Sequence, residues 1–440
     1  MTFPTLALCA LFSVCALFAS RRIAALSIMA GICYTSISQQ IELGGMTFTA
    51  IRIILLIATA RIMIRGEFRD LKLITIDWLV IVFTSVIILT ATIRSGDAQD
   101  FIYQLGQSYN IVLSYITFRC FLKTSADLEG FFRGLAFLIM PLAILMIVHS
   151  ITGENLLPGA VDLSESYVRG GRIRCNGSFL GPITAGIFGA TLMPPFVGLY
   201  NNSPLRRIAM IGVLSTIAIT LASNSSGPLM TLVVGSMGLM FWPLRERMRV
   251  VRRGIVAVLI CLALIMNAPL WYLPAKLSGL TGGDGWHRSY LMEQAIRHFP
   301  DWWLLGTSDT SDWMPYKMAA GGADITNQYI SVGINGGLIG LIIFISIIVI
   351  SFRNLGQAMK DSRTKSLFNE FLLWSFGAVL CAHVVALTSV TYFDQMGIAW
   401  WVFLAILSSS SSEVLRDNNI PSVQYRKSQT RLAIHGLGHT

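Results

Sequence analysis

The chain has 440 residues, of which 54% are apolar and only 13% are charged, and its mean hydropathy is +0.64. Soluble domains carry about 25% charged residues, so this composition excludes a soluble globular protein and indicates an integral membrane protein. The net charge of +10 is spread over many loops, which favours an effect of membrane topology over a nucleic-acid partner.

Apolar segments recur along the whole chain, each close to the length of about 20 residues that crosses a bilayer. We predict an all-α fold, a polytopic membrane helix bundle of about twelve or thirteen spans, with a single membrane domain over residues 1–412. The predicted spans are 3–20, 23–38, 47–64, 75–93, 106–122, 130–150, 179–200, 206–222, 226–243, 254–272, 326–352, 367–389 and 396–412. Residues 413–440 are predicted to form a basic, disordered tail.

The basic residues predict the orientation of the bundle. Most of the 33 Lys and Arg residues fall in alternate loops, and loops rich in these residues remain in the cytoplasm. The two longest loops, about residues 151–178 and 273–325, are therefore predicted to face outward, and the tail is predicted to be cytoplasmic. The second loop carries four of the ten Trp residues, and we expect the chemistry to occur there.

Arg52, Arg61 and Arg119 fall inside predicted spans. Arg52 lies near the outer end of the third span, where a charge is costly unless it faces a wet cavity or an anionic ligand. The alternative is that its long side chain extends to the outer interface. Arg61 and Arg119 lie near cytoplasmic ends of spans, and we expect their side chains to reach the interface in this way.

Helix-breaking pairs occur at Gly181-Pro182, Pro194-Pro195 and Gly227-Pro228. Bends at these positions would open an outward cavity, because non-helical backbone at membrane depth has to line protein or water. Gly and Pro are also common in ordinary membrane helices, which is the simpler interpretation. Gly336, Gly337 and Gly340 can likewise be explained as packing glycines.

The end of the first long loop places Arg169, Arg172 and Arg174 around a flexible Gly170-Gly171 pair, just before a span. Guanidinium groups bind phosphate oxygens in bidentate pairs. Attraction to anionic lipid headgroups is the alternative, although positive charge on the outer side runs against the general bias. We therefore favour the binding of an anionic ligand.

The second long loop is predicted to contain a short amphipathic helix over residues 285–299, with Asp284 as its N-cap. Its apolar stripe consists of Leu291, Met292, Ala295, Ile296 and Phe299. Arg288 lies on the same line near the helix N-terminus, where a cation and free amide groups together favour a phosphate. The alternative is an interfacial helix with three Trp anchors, Trp286, Trp302 and Trp303.

Groups suited to proton transfer or metal binding are scarce. His287 and His298 lie in the second loop, but a single loop histidine is more often solvated than catalytic. The loop carboxylates, Asp324 among them, lack a metal-like pairing. The seven Cys residues show no CxxC or Cys/His spacing, so we predict neither a metal nor a cofactor.

In order and spacing these features resemble the O-antigen ligase and O-antigen (Wzy-type) polymerase superfamily of bacterial envelope enzymes. The matching elements are Arg174 with Gly177-Ser178-Phe179 and Gly181-Pro182; the helix start Ser225-Ser226-Gly227; Arg288 with its helix, Phe299-Pro300 and Leu305-Gly306; and Asn327, Tyr329, Ile330, Gly337 and Gly340, which match a His-Asn-x-Tyr-Leu motif and its later glycines.

Two positions depart from the family pattern. Thr326 stands where the ligases have a histidine that acts as a base or orients the acceptor, and Ser226 stands where an arginine is common. The missing histidine favours a polysaccharide polymerase over a ligase that joins polymer to lipid A-core. Asp324 is our candidate for a substitute base.

The resemblance implies a GT-C-like membrane fold and an activity at the periplasmic face of the bacterial inner membrane. A glycan would pass from undecaprenyl diphosphate to a hydroxyl of an acceptor glycan, with no metal, because arginine donors can stabilise the charge that builds on the leaving diphosphate. The expected partners are the lipid-linked oligosaccharide donor, the glycan acceptor and membrane lipids, with a chain-length regulator and a flippase as further candidates.

The implied site residues form two groups. The catalytic candidates are Arg288, Arg174 and Asp324; the substrate-binding candidates are Arg172, Arg169, Arg52, Thr326, Asn327 and Tyr329. An O-antigen ligase is the first alternative. A polysaccharide or lipid transporter is the second, but a transporter would favour charges within spans and two related halves over a Trp-rich outer loop.

Overall fold

A computed structural model of the protein describes residues 1–43, 46–96, 98–160, 168–169, 171–200, 203–276, 285–315, 322–362 and 367–418. The helices are α1 (Phe3–Phe18), α2 (Arg21–Tyr34), α3 (Ala50–Arg65), α4 (Thr75–Ser95), α5 (Ala98–Phe121), α6 (Ser125–Thr152), α7 (Pro182–Tyr200), α8 (Arg206–Ala222), α9 (Ser226–Met240), α10 (Met248–Ile265), α11 (Gly285–Arg297), α12 (Phe299–Trp302), α13 (Gln328–Ser362), α14 (Leu367–Ala386) and α15 (Asp394–Asn418). The fold is therefore mostly helical, as predicted.

Two short antiparallel hairpins accompany the helices. Strand β1 (Gln40–Leu43) pairs with β2 (Met46–Thr49), directly before α3. Strand β3 (Val168–Arg169) pairs with β4 (Arg172–Ile173), in the first long loop. The second long loop contains α11 and α12, which confirms that it is partly helical.

Every predicted span overlaps a helix, but fewer helices have the length and composition of a span. Within the described ranges, α4, α6, α7 and α13 are long and apolar enough to cross a membrane, and α10 with the bent segment after it makes a fifth candidate. Shorter apolar helices occur at Phe3–Phe18, Ser226–Met240 and Glu370–Ala386. The helices support a membrane-embedded protein with four or five clear spans.

Two of the proline signals mark helix starts. Pro182 is the first residue of α7, and Pro228 lies in the first turn of α9, where the missing N–H of proline costs no helical hydrogen bond. Pro194-Pro195 lies inside α7, which continues through the pair. None of these pairs divides a helix, which favours the simpler interpretation that they are ordinary features of membrane helices.

The break in a long helix lies instead at Gly337, inside α13. Its φ of 63° and ψ of −170° depart from helical values, and a Cβ atom there would lie 2.4 Å from the carbonyl oxygen of Leu304. Only glycine fits this conformation and this approach. The amide of Leu338 donates to the carbonyl of Trp303 at 2.7 Å, so the second long loop is joined to the break.

The bundle has one main core and a smaller second one. Helix α7 packs against α8, α9 and α14, while α13 packs against α4 and α15. The smaller core lies in the second long loop and contains Leu291, Ala295, Trp302, Trp313 and Met314. It contacts Ile330 and Ile334 of α13, so this loop has its own apolar anchor on the bundle.

The prediction that Arg61 and Arg119 reach the membrane interface is wrong. Arg119 is 2% exposed and forms a two-fold hydrogen-bonded ion pair with Asp77, at 3.0 Å from Nε and 3.0 Å from Nη2. Arg61 is 1% exposed and donates to the carbonyls of Ala16 and Ala19 and to Glu67. Each guanidinium finds partners inside the protein, which removes the reason to extend to water.

Candidate functional site

The first arginine loop is attached to the turn between α8 and α9. Arg174 donates to the hydroxyl of Ser225 from Nη2 at 2.8 Å and from Nε at 3.2 Å. The amide of Cys175 donates to the carbonyl of Ala222, and the side-chain amide of Asn224 donates to the carbonyl of Arg172. Two of the sequence motifs that carry the family resemblance are therefore in direct contact.

Side-chain amides hold the segment that follows this loop. Asn176 donates to the carbonyl of Phe179 at 2.9 Å. The buried Gln395 at the start of α15 donates to the carbonyls of Ser178 and Thr35, at 2.8 and 3.1 Å. The segment around Arg174 is thus held by the turn between α8 and α9 and by Gln395 of α15, and its guanidinium lies at the start of α9.

The hairpin β3–β4 places Arg169 and Arg172 directly opposite each other. The side chain of Arg172 is exposed. The register therefore brings two basic positions of the sequence to the same step of the hairpin.

Arg288 lies on α11 and is half-buried. The helix turns Leu291 and Ala295 into the second core, and the indole of Trp302 donates to the carbonyl of Ala295 at 2.8 Å. Trp302 is 7% exposed and is therefore a core residue, whereas Trp286 and Trp303 are exposed as interfacial anchors would be. The proposed N-cap, Asp284, lies outside the described residues.

His287 differs from the solvated histidine that we expected. It is buried, and its Nε2 atom lies 2.9 Å from the backbone carbonyl of Asp324. This contact ties α11 to the segment that leads into α13. Asp324 itself is exposed.

The residues after Asp324 bond to their own backbone and to the end of α14. The side chain of Asn327 accepts from the amides of Tyr329 and Ile330 and donates to the carbonyl of Thr388 at 3.0 Å. It therefore caps α13 and fixes the helix to the end of α14. Tyr329 donates its hydroxyl to the carbonyl of Val384 at 3.1 Å. Both side chains support the shape of this segment.

Thr326 is different, because its hydroxyl is buried and has no hydrogen-bond partner within the part of the chain that is described. A buried polar atom without a partner is costly, and a ligand or a water molecule is the usual explanation. This is the position where the ligases of the resembled family have histidine. The structure thus leaves a hydroxyl available at that position.

Arg94, at the end of α4, is a residue that the sequence reasoning missed. The break at Gly337 prevents the usual helical bond from Leu338 to the carbonyl of Ile334, and that carbonyl instead accepts from Arg94 at 3.0 Å and from the amide of Thr307 at 2.8 Å. Arg94 also donates to the carbonyl of Leu305. Its position at the end of a span gave no sign of this role.

Arg52 faces a cavity of about 630 Å³ between the hairpin β1–β2, α3 and α5. Its Nε donates to the side chain of Asn110 at 3.1 Å, and its Nη1 donates to the carbonyl of Thr47 at 2.6 Å. Gly106 leaves room for the guanidinium, because a Cβ atom there would lie 3.3 Å from Nη2. Of the two interpretations of Arg52, the structure favours the wet cavity.

Glu293 ties α11 to the residues that follow α10. Its carboxylate accepts hydrogen bonds from Tyr272 and from Arg297. The hydrogen bond from Tyr272, supported by the charge of Arg297, lowers the pKa of Glu293 below its ordinary value.

Within the described residues, no group of three or more His, Cys, Asp or Glu side chains is arranged to hold a metal ion. No protein-family model matches the chain, and a search of the curated proteins finds no match. The resemblance therefore rests on the motifs themselves and on the contacts between them.

Proposed function

We propose that the protein polymerises undecaprenyl-diphosphate-linked oligosaccharide repeat units of an exopolysaccharide, a capsule or an O-antigen. The reaction is a metal-independent glycosyl transfer at the periplasmic face of the inner membrane. The observation that carries the proposal is the contact of Arg174 with Ser225, 51 residues apart in sequence. This contact joins two of the motifs on which the resemblance rests.

A second pair of motif elements also meets in space. Leu305-Gly306 and Gly337 belong to separate parts of the resemblance, and a Cβ atom on Gly306 would lie 2.1 Å from the carbonyl of Ile334. Gly306 itself has a φ of 77°. Glycine is thus needed on both sides of this contact, which supports the carry-over of the loop signature as a whole.

In the proposed mechanism Arg172, Arg174 and Arg288 donate hydrogen bonds to the diphosphate. As the bond between the sugar and the diphosphate breaks, negative charge grows on the diphosphate, and fixed guanidinium donors stabilise it without a metal. Arg169 adds to the positive surface. Asp324 takes the proton from the acceptor hydroxyl, which becomes the new glycosidic oxygen.

The acceptor side of the site is formed by the segment from Thr326 to Tyr329. Asn327 and Tyr329 fix its backbone, and the unpartnered hydroxyl of Thr326 binds the acceptor. The full count of twelve or thirteen spans, the GT-C-like arrangement and the outward placement of the two long loops belong to this proposal. The distribution of basic residues supports them.

The test is to replace Arg174 and Arg288 separately by alanine in cells that make the polymer. Each change is expected to abolish long polymer and to let a single lipid-linked repeat accumulate in the periplasm, with normal amounts of protein in the membrane. Arg207→Ala is the matched control, because Arg207 is an exposed arginine at the start of α8 and lies in the predicted cytoplasmic set.

Three other results would contradict the proposal. Unchanged polymer length in both variants would remove the arginines from the mechanism. Lipid-linked repeats that stay in the cytoplasm would indicate a flippase. Long polymer that remains on its lipid and is not joined to core would indicate a ligase.

A further inference from the structure

We infer that the cavity at Arg52 and a smaller one beside it form a continuous binding groove for the acceptor glycan. This inference rests on the proposed function and adds a site separate from the diphosphate arginines. The smaller cavity has a volume of about 190 Å³ and extends from α5 to the first turns of α13. The two cavities share Tyr103, Gln107, Asn110 and Ile398 in their walls.

The shared wall is one face of α5. Tyr103, Gln107 and Asn110 are spaced by four and three residues, which places them on the same side of a helix. The face therefore runs along both cavities. At one end it meets Arg52, and at the other it meets Gln328, Ser331 and Asn335 of α13.

The far end of the groove is close in sequence to the proposed acceptor segment. Gln328 follows Asn327 and accepts a hydrogen bond from the amide of Tyr392 at 2.6 Å. Asn335 accepts from the side chain of Gln104 at 3.3 Å and precedes the break at Gly337. A glycan that lies in the groove would thus reach the segment where transfer is proposed.

The lining of the larger cavity combines apolar side chains with amide groups, and a sugar chain has both apolar ring faces and hydroxyl groups. The larger cavity has four side-chain amides in its wall, from Gln40, Gln99, Gln107 and Asn110. Each amide offers donors and an acceptor, as sugar hydroxyls require. Its volume falls in the range of about 300–1,000 Å³ that is usual for ligand sites.

Two of the wall residues have polar groups that the fold leaves for a ligand. Gln107 is half-buried, and Tyr103 is 60% exposed; within the described part of the chain, neither side chain takes part in a hydrogen bond. A half-buried amide gains from a partner, and a tyrosine ring offers an apolar face with a polar end. We assign Tyr103 to stacking on a sugar ring and Gln107 to its hydroxyls.

Arg52 gives the groove a fixed cationic donor. Its hydrogen bonds to Thr47 and Asn110 hold the guanidinium in one orientation against Gly106. A positioned guanidinium donates to hydroxyl oxygens. The wall of the groove therefore includes a fixed hydrogen-bond donor.

The experiment measures binding, so it does not depend on turnover. The full-length protein is placed in lipid nanodiscs and titrated with oligosaccharides of two or three repeats cut from the polymer of the host strain. Gln107→Ala and Arg52→Gln are each expected to weaken this binding at least tenfold. Arg65→Gln is the matched control, since Arg65 is an exposed arginine at the end of the same helix as Arg52, and it should bind as the wild type does.

Farnesyl diphosphate is titrated separately as a probe of the proposed diphosphate site. It should bind equally well to the wild type and to the three variants, because Arg172, Arg174 and Arg288 are unchanged in all of them. Wild-type affinity for the oligosaccharide in both groove variants would overturn the inference. The inference would also be overturned if a phospholipid copurified with the wild-type protein and was lost from Arg52→Gln while oligosaccharide binding stayed the same. One further outcome separates the two proposals. If the groove variants lose oligosaccharide binding but the wild-type protein makes no polymer in cells, the groove is supported and the proposed reaction is rejected.

Discussion

Arg119 and Arg52 both project from helices of the bundle, but their guanidinium groups meet different surroundings. Arg119 is enclosed, with both oxygens of Asp77 on one edge and the hydroxyl of Ser409 within 3.2 Å of Nη1. Arg52 is half-buried and lies in the wall of a cavity. The first holds α4, α5 and α15 together, while the second presents a cation to a space large enough for a ligand.

Arg94 shows a third use of the same side chain. Its guanidinium donates to the carbonyls of Leu305 and Ile334. The turn at Gly306 and the break in α13 leave these carbonyls without their usual donors. Arg297, on the surface of α11, pairs with Glu293 and is the most solvated of the four. The surroundings, and not the residue type, decide whether an arginine stabilises the fold or serves a ligand.

The largest effect should come from Asp77→Asn. This change leaves the charge of Arg119 buried without its carboxylate, and breaking a buried pair in this way costs about 3–5 kcal/mol. We expect a large loss of folded protein from the membrane and a lower midpoint of thermal unfolding in detergent. Asp70→Asn is the control, because Asp70 is 85% exposed in its pair with Lys123 and exposed pairs contribute about 1 kcal/mol or less.

Equal stability of the two variants would contradict a structural role for the Arg119 pair. The same assay on Arg52→Gln sharpens the comparison. Arg52 is only half-buried, and its hydrogen bonds with Thr47 and Asn110 run to neutral groups, so its loss should lower the unfolding midpoint by much less than Asp77→Asn does.

A smaller but still clear effect is expected for Gly337→Ala. Alanine is strained at the φ of Gly337, at a cost of about 1–3 kcal/mol, and its Cβ atom would press on the carbonyl of Leu304. The contact between α13 and the second long loop should loosen, which thermal unfolding and limited proteolysis of that loop would detect.

Gly340→Ala provides the matched control, because the nearest atom to its Cβ position lies 3.6 Å away, in ordinary contact. This variant should be neutral or more stable by up to about 1 kcal/mol, since alanine favours helix over glycine. If both variants behave alike, Gly337 is a packing glycine after all.

The long helices of the bundle could be predicted from the sequence because they are apolar runs, and a local pattern is enough to show such a run. The roles of the arginines could not. Asp77 lies 42 residues from Arg119 in sequence, and Ser225 lies 51 residues from Arg174, so no local pattern could pair them. The break at Gly337 was missed for a related reason. The groups that meet it, the carbonyls of Trp303 and Leu304, lie in the second long loop, far from Gly337 in the sequence.

The smallest predicted effect concerns the exposed ion pair of Arg297 with Glu293 on α11. Because the pKa of Glu293 is lowered in the folded protein, its contacts stabilise α11 above its ordinary pKa of about 4.3, and this contribution is lost as the pH falls through the lower folded value. Hydrogen exchange of the α11 amides, corrected for intrinsic rates, should therefore rise modestly between pH 6 and about pH 3. In Glu293→Gln the exchange should be faster throughout and should lack this rise. An equal rise in both proteins would show that Tyr272 and Arg297 do not hold the helix through this carboxylate.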